Sequence, residues 1–158
     1  MREVLQVLCR ITSGTSSERN KMYTLTLVFD ESGHNILLCN HAKRHIINAI
    51  GGKVNDLEDP MDASYRELEE ETGITRKDIE LKFLMQESAT MWHGDCWSNY
   101  ITVGILNKRV TLREEKNPLF WWDASDTEFL NSCGYEGDLE VYVKRAYYLL
   151  GSKRGEKI

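Results

Sequence analysis

The chain has 158 residues, 41% of them hydrophobic and 28% charged, with a formal net charge of −5. That length fits one domain with a self-sufficient core and would crowd two, so residues 1–158 read as a single unit. Mild acidity, with a basic cluster only in the Lys-Arg-Gly-Glu-Lys tail, excludes the broad positive footprint of a binder of long nucleic acids. A charged ligand should therefore be small.

Cys9, Cys39, Cys96 and Cys133 lie far apart with no CxxC pair. They read as reduced thiols in packing positions, without a disulfide framework or zinc site. There is no basic-then-apolar leader and no apolar run of membrane-spanning length. The expectation is a cytoplasmic protein with no membrane partner.

In chain order, Glu3–Arg10 and Met22–Asp30 have strand composition, separated by the polar loop Thr12–Asn20. Glu31-Ser32-Gly33-His34 forms a hairpin turn, Asn35–Cys39 returns, and Arg44–Ile50 leads into Gly51-Gly52. Asp59-Pro60 starts a helix, because Asp accepts from free N–H groups and Pro suits the first helical position. Gly73 is a left-handed stop, which bounds the helix at Pro60–Thr72. At roughly 100° per residue, Met61, Tyr65, Leu68 and Thr72 share a packing face, while Glu67, Glu70 and Glu71 gather on an acidic one. Leu81–Ser88 and Cys96–Leu106 are further strands, the second alternating Trp97, Asn99, Ile101 and Val103 with Ser98, Tyr100, Thr102 and Gly104. His93-Gly94-Asp95-Cys96 supplies no convergent ligand set and reads as a turn. Leu139, Val143, Ala146 and Leu150 recur at helical spacing, giving a final helix over Glu136–Leu150. Periodicity alone defines a mixed α and β domain.

Three carboxylates on about one turn of helix repel one another. A hard divalent cation resolves the conflict, since magnesium takes oxygen ligands and commonly binds a few carboxylates together with substrate phosphates. The bland alternative is a solvated acidic face, and Glu69, off the cluster, fits that description.

Gly52, Glu58, Arg66-Glu67-Leu68, Glu70-Glu71 and Gly73-Ile74 fill every defined position of G-x5-E-x7-R-E-U-x-E-E-x-G-U, where U is aliphatic. The chain thus resembles the Nudix family. The resemblance implies an α/β/α sandwich, that is, a mixed sheet between the box helix and the C-terminal helix, and a hydrolase of phosphoanhydrides in nucleoside diphosphate derivatives. It implies Mg2+ as cofactor, with Mn2+ as the alternative. Carried over residue by residue, Glu67, Glu70 and Glu71 become the metal and base carboxylates, with Gly51 beside them at the metal site. Arg66 orients a carboxylate by a charge-assisted hydrogen bond, and Glu58 supports the site.

Asn48-Ala49-Ile50-Gly51-Gly52-Lys53-Val54 is similar to the N-G-F-G-G-K-V run of MutT-like oxidised-purine nucleoside triphosphatases, in which the Asn contacts the base. Glu115-Lys116-Asn117-Pro118 aligns with a segment whose Glu lies at their metal site, making Glu115 a metal candidate and Glu114 the fallback. Asp138 is a candidate purine reader, since a carboxyl can accept or, when protonated, donate. Asn48 could instead satisfy a strand end, and Asp138 could cap the last helix. Trp121, with Phe120 and Trp122, offers stacking surface or core. Lys43, Arg44 and Lys53 are candidates for the phosphates, or solvated cations.

Arg44-His45-Ile46-Ile47 departs from the longer Gly-rich hairpin and Trp of those relatives, so the base pocket must differ in shape. The stretch Met85 to Met91 lacks the Pro of many ADP-ribose-cleaving relatives, and Met91-Trp92-His93 lacks the Tyr of many diadenosine-polyphosphate relatives. The expected reaction is hydrolysis of a nucleoside triphosphate, such as 8-oxo-dGTP or another modified purine nucleotide, to monophosphate and pyrophosphate. The alternatives are another nucleoside diphosphate derivative (ADP-ribose, a nucleotide sugar or a dinucleoside polyphosphate) or a non-catalytic nucleotide-binding domain. The protein is expected as a monomer or homodimer.

Overall fold

A computed structural model describes residues 20–43, 45–90, 94, 96–114, 116–134 and 138–151. The expected strand Glu3–Arg10, most of the loop after it, Arg44 and Glu115 lie outside the described residues. The described chain forms β1 (Asn20–Phe29), β2 (Asn35–His41), β3 (Ile46–Asn48), β4 (Ile50–Lys53), α1 (Pro60–Thr72), β5 (Lys82–Thr90), β6 (Cys96–Ile105), β7 (Leu119–Asp123), α2 (Thr127–Asn131) and α3 (Leu139–Leu150).

The strands make one mixed sheet in the order β3-β2-β1-β6-β5, with β4 also on β1 and β7 also on β2. Strands β1 and β6 run parallel in continuous register from Asn20↔Cys96 to Phe29↔Ile105, while β5 pairs antiparallel with β6. The crossover between them carries α1, as a parallel pair requires. Strand β1 meets β2 only at Phe29↔Ile36, and β4 takes over its edge at Tyr23↔Lys53 through Thr26↔Ile50. This substitution delivers the paired glycines onto the sheet beside the helix that follows them.

Central strands are buried on both faces, so β1 is not a simple alternation of apolar and polar. Leu25, Leu27 and Phe29 join Ile101, Val103, Leu139, Tyr142 and Val143 in a cluster beneath α3. Val28 joins Leu37, Cys39, Leu68, Ile74 and Ile79 in a second cluster beneath α1. The two polar residues Thr26 and Thr102 are buried and satisfy each other at 3.0 Å. The layers are thus helix, sheet and helix, the expected α/β/α arrangement.

Helix α1 has the expected bounds. Asp59 Oδ1 accepts from Met61 N at 2.8 Å, Pro60 occupies the first turn, and Gly73 ends the helix at φ 81° with its N–H on Glu69 O. Strand β7 and the short α2 were not anticipated. The aromatic run Leu119–Asp123 is a strand because it lies on β2, from Asn35↔Asp123 to Cys39↔Leu119. Helix α3 begins at Leu139.

Cys39 and Cys133 are free and buried, but Cys96 is disulfide-bonded. The expectation of reduced thiols fails there, because separation along the chain does not set separation in space. Among the described residues, no helix is long and apolar enough to cross a membrane.

Candidate active site

The site is built on the outer face of α1. Packing of Leu68 and Thr72, fully buried, and of Met61 and Tyr65 fixes the rotation of the helix. Tyr65 adds a hydrogen bond from its hydroxyl to Leu81 N, accepting at 2.7 Å. With that face committed, Arg66, Glu67, Glu70 and Glu71 are carried to the sides.

Arg66 is the hub. Its Nε donates to Glu58 Oε2 at 2.8 Å and its Nη2 to Glu58 Oε1 at 2.9 Å, a bidentate pair. The same Nη2 reaches Lys53 O at 2.9 Å, while Nη1 donates to Glu67 Oε1 at 2.9 Å and Glu70 Oε2 at 3.3 Å. All five guanidinium donors are therefore engaged. The hydrogen bonds from Arg66 hold the Glu58 carboxyl down at about 2, and the pairing raises the already high Arg66 value further.

The carboxylates differ in environment. Glu67 is 15% exposed and Glu70 59%. Burial, outweighing the pull of Arg66, pushes the Glu67 carboxyl up. Glu71 is raised to about 7, first by burial and then by the charge of Glu67. Its Oε2 is buried and has no hydrogen-bond partner among the described residues. An unpaired buried carboxylate oxygen beside two more carboxylates is a demand for a cation. No three His, Cys, Asp or Glu side chains among the described residues already converge as a metal cage; Glu67 and Glu70 are turned onto Arg66 instead.

The paired glycines are explained by close approach. A Cβ on Gly51 would stand 2.3 Å from Thr24 O, and one on Gly52 would stand 2.1 Å from Glu67 Cδ. Lys53 is exposed, its carbonyl taken by Arg66, and Lys43 is exposed in the turn after β2.

The remaining candidates are dispersed. Asn48 is 7% exposed; its Oδ1 accepts from Ala49 N at 2.8 Å, which satisfies the break between β3 and β4. Pairing with Cys39 puts it on the face of β2 that carries the α1 cluster. Trp121 is half-buried against that same cluster, whereas Phe120 and Trp122 pack on the α3 side. Asp138 occupies the cap position of α3 yet makes no side-chain cap bond. Its Oδ2 lies 2.9 Å from the buried Tyr142 hydroxyl, which also lies 2.5 Å from Glu87 Oε2. Glu114 Oε1 accepts from Leu119 N at 3.0 Å and closes the loop before β7.

Sequence reasoning missed Lys116, whose charge pulls both Glu67 and Glu71 downward against burial. Its adjacency to Glu115 was the available signal. It also missed Glu87 and Tyr142, for which linear spacing offers none.

The chain matches the NUDIX domain family over residues 20–132, well over half its length. It belongs to the Nudix family, and the complete box on α1 makes it a pyrophosphohydrolase of that class. Among solved structures, the MutT protein of Bacillus halodurans is similar at 21% identity, covering 85% of this chain and 84% of that one with a TM-score of 0.64. The Caenorhabditis elegans Ap4A hydrolase is similar at 18% identity, covering 83% and 98% with a TM-score of 0.65. The NUDIX domain of Shewanella oneidensis NrtR, complexed with ADP ribose, is similar at 12% identity, covering 90% and 97% with a TM-score of 0.65. At these identities the likeness is one of fold. No curated protein matches the chain.

Proposed function

We propose that the protein is a magnesium-dependent, MutT-like pyrophosphohydrolase of nucleoside triphosphates, with an oxidised or otherwise modified purine nucleotide as substrate, releasing monophosphate and pyrophosphate. The observation that carries the reading is the set of box carboxylates gathered around a fully engaged Arg66, with Glu71 Oε2 buried and unpartnered. The donor set fits a hard divalent cation, because all three groups present oxygen and two are held above their ordinary range by burial. Glu67, Glu70, Glu71, Glu115 and the Gly51 backbone would hold magnesium or manganese. When bound, the ion neutralises phosphate charge and polarises phosphorus.

The chain's own residues do the rest. Arg66 fixes the Glu67 carboxylate and, through the longer contact, steers Glu70. Glu70, the more exposed of the two, takes the proton of the attacking water as its oxygen bonds phosphorus and the bridging P–O bond breaks. Lys43, Arg44 and Lys53 meet the phosphates from the β2–β3 turn and the end of β4. Asn48, Asp138 and Trp121 read the base, with the chain acting in the cytoplasm as a monomer or homodimer.

One observation favours a second reading within the same chemistry. Asn48 is committed to the α1 face while Asp138 is held by Tyr142 in contact with the α3 cluster, so the two purine readers are not joined by a hydrogen bond. A linked diphosphate such as ADP-ribose, a nucleotide sugar or a dinucleoside polyphosphate needs only the box. A panel of oxidised and normal purine triphosphates against these compounds, each with magnesium, separates the readings. Preference for an oxidised triphosphate supports the first, and preference for a linked diphosphate replaces it with the second. Tight nucleotide binding with no turnover of any compound would leave only a binding domain.

A further inference from the structure

The segment between β6 and β7 runs across the C-terminal end of α1 and is pinned along its length. Arg113 N donates to Thr72 O at 2.8 Å, and Arg113 Nη2 donates to Glu69 O at 3.2 Å. The bare Cα of Gly73 lets Arg113 settle there, since a Cβ would stand 3.3 Å from Arg113 Cβ. At the far end Leu119 N donates to Glu114 Oε1, and Asn40 N donates to Pro118 O at 3.0 Å. Leu119 is paired with Cys39, whose thiol lies within electrostatic reach of Glu71. Both ends of the loop are thus anchored beside the carboxylates.

Lys116 lies between those anchors. It is exposed, it makes no salt bridge among the described residues, and its charge acts on both Glu67 and Glu71. An unspent ammonium within reach of two partly buried carboxylates cannot neutralise them once a divalent ion does, because two cations on one site repel. It is then left facing whatever anion the ion brings.

We propose that Lys116, held by the Arg113–Leu119 loop, is a phosphate-binding residue of this site: it balances the box carboxylates before the ion arrives and contacts the substrate phosphates afterwards. This rests on the reading of the site as a nucleotide pyrophosphohydrolase. A flexible point charge suits a role with two successive partners better than a rigid fork would.

The test uses Lys116→Gln and Lys116→Arg in the full chain, with two binding measurements that need no turnover. Mn2+ binding without nucleotide is followed by electron paramagnetic resonance, and binding of α,β-methylene-dGTP with magnesium by calorimetry. Lys116→Gln should bind Mn2+ roughly two- to fivefold more tightly and the analogue roughly two- to fivefold more weakly, with Lys116→Arg near wild type. Unchanged affinities, or both shifting in the same direction, would overturn the proposal. A wild-type protein that neither binds the analogue nor hydrolyses any triphosphate would remove the nucleotide reading and this role together; that failure is visible without any variant.

Discussion

The Glu67 carboxylate lies directly against the Cα of Gly52, in the space where a Cβ would stand 2.3 to 2.4 Å from its two oxygens. The glycine before the box loop and the first glutamate of the box helix, fifteen residues apart, are thus one steric unit. Gly52→Ala should leave the fold intact and displace Glu67 from Arg66. Because a misplacement of about 1 Å costs on the order of 10²-fold in rate, turnover should fall by roughly that factor while the thermal midpoint changes little. Unaltered kinetics in this variant would show that Glu67 placement does not matter.

Arg66→Lys keeps the charge and loses the fork. Lysine offers three donors from one point and cannot span Glu58, Glu67, Glu70 and Lys53 O together. Turnover should drop about 10²-fold or more, with stability lower by about 1.5–3 kcal/mol from the lost charged hydrogen bonds. Urea unfolding and steady-state kinetics on one preparation separate the two effects.

Glu71 should give the metal-free protein a pH-dependent stability. Its folded value of about 7 stands above the ordinary 4.5, so the neutral form is favoured on folding. The resulting stability is fully present below about pH 4.5 and is lost as pH rises through 7. Thermal midpoints of the metal-free protein should therefore fall between pH 5 and 8 relative to Glu71→Gln, whose profile should be flatter. Saturating magnesium should restore the wild-type protein at pH 8 and leave the variant unmoved.

Tyr142→Phe removes the hydroxyl that joins Glu87 on β5 to Asp138 at the start of α3. Loss of that buried bridge should cost about 1–3 kcal/mol. If Asp138 reads the purine, the same change should alter KM for oxidised against normal triphosphates. A KM ratio equal to that of wild type would assign Asp138 to the packing of α3 alone.

Helix α1 was legible to the residue because its signals are local: Asp59 and Pro60 start it, Gly73 stops it, and apolar spacing sets its face. The Arg66 hub was legible in outline, since a box pattern encodes side chains three and four apart. Strand β7 was not, because Leu119–Asp123 becomes a strand only by lying on β2, eighty residues earlier in the chain. Asp138 illustrates the same limit: its position at a helix start invited a cap, and a tyrosine one turn away took the carboxylate instead. The bond at Cys96 and the charge of Lys116 are likewise products of distant segments meeting.

The central claim is that the box carboxylates hydrolyse a nucleoside triphosphate to monophosphate and pyrophosphate. The most direct measurement is product analysis of 8-oxo-dGTP and dGTP with magnesium, monophosphate and pyrophosphate read separately, for the wild type and Glu70→Gln. Equal yields of both products from the wild type are predicted, with at least about 10²-fold less from the folded, metal-binding variant. Near-normal turnover in Glu70→Gln, or release of diphosphate and inorganic phosphate by the wild type, would contradict it.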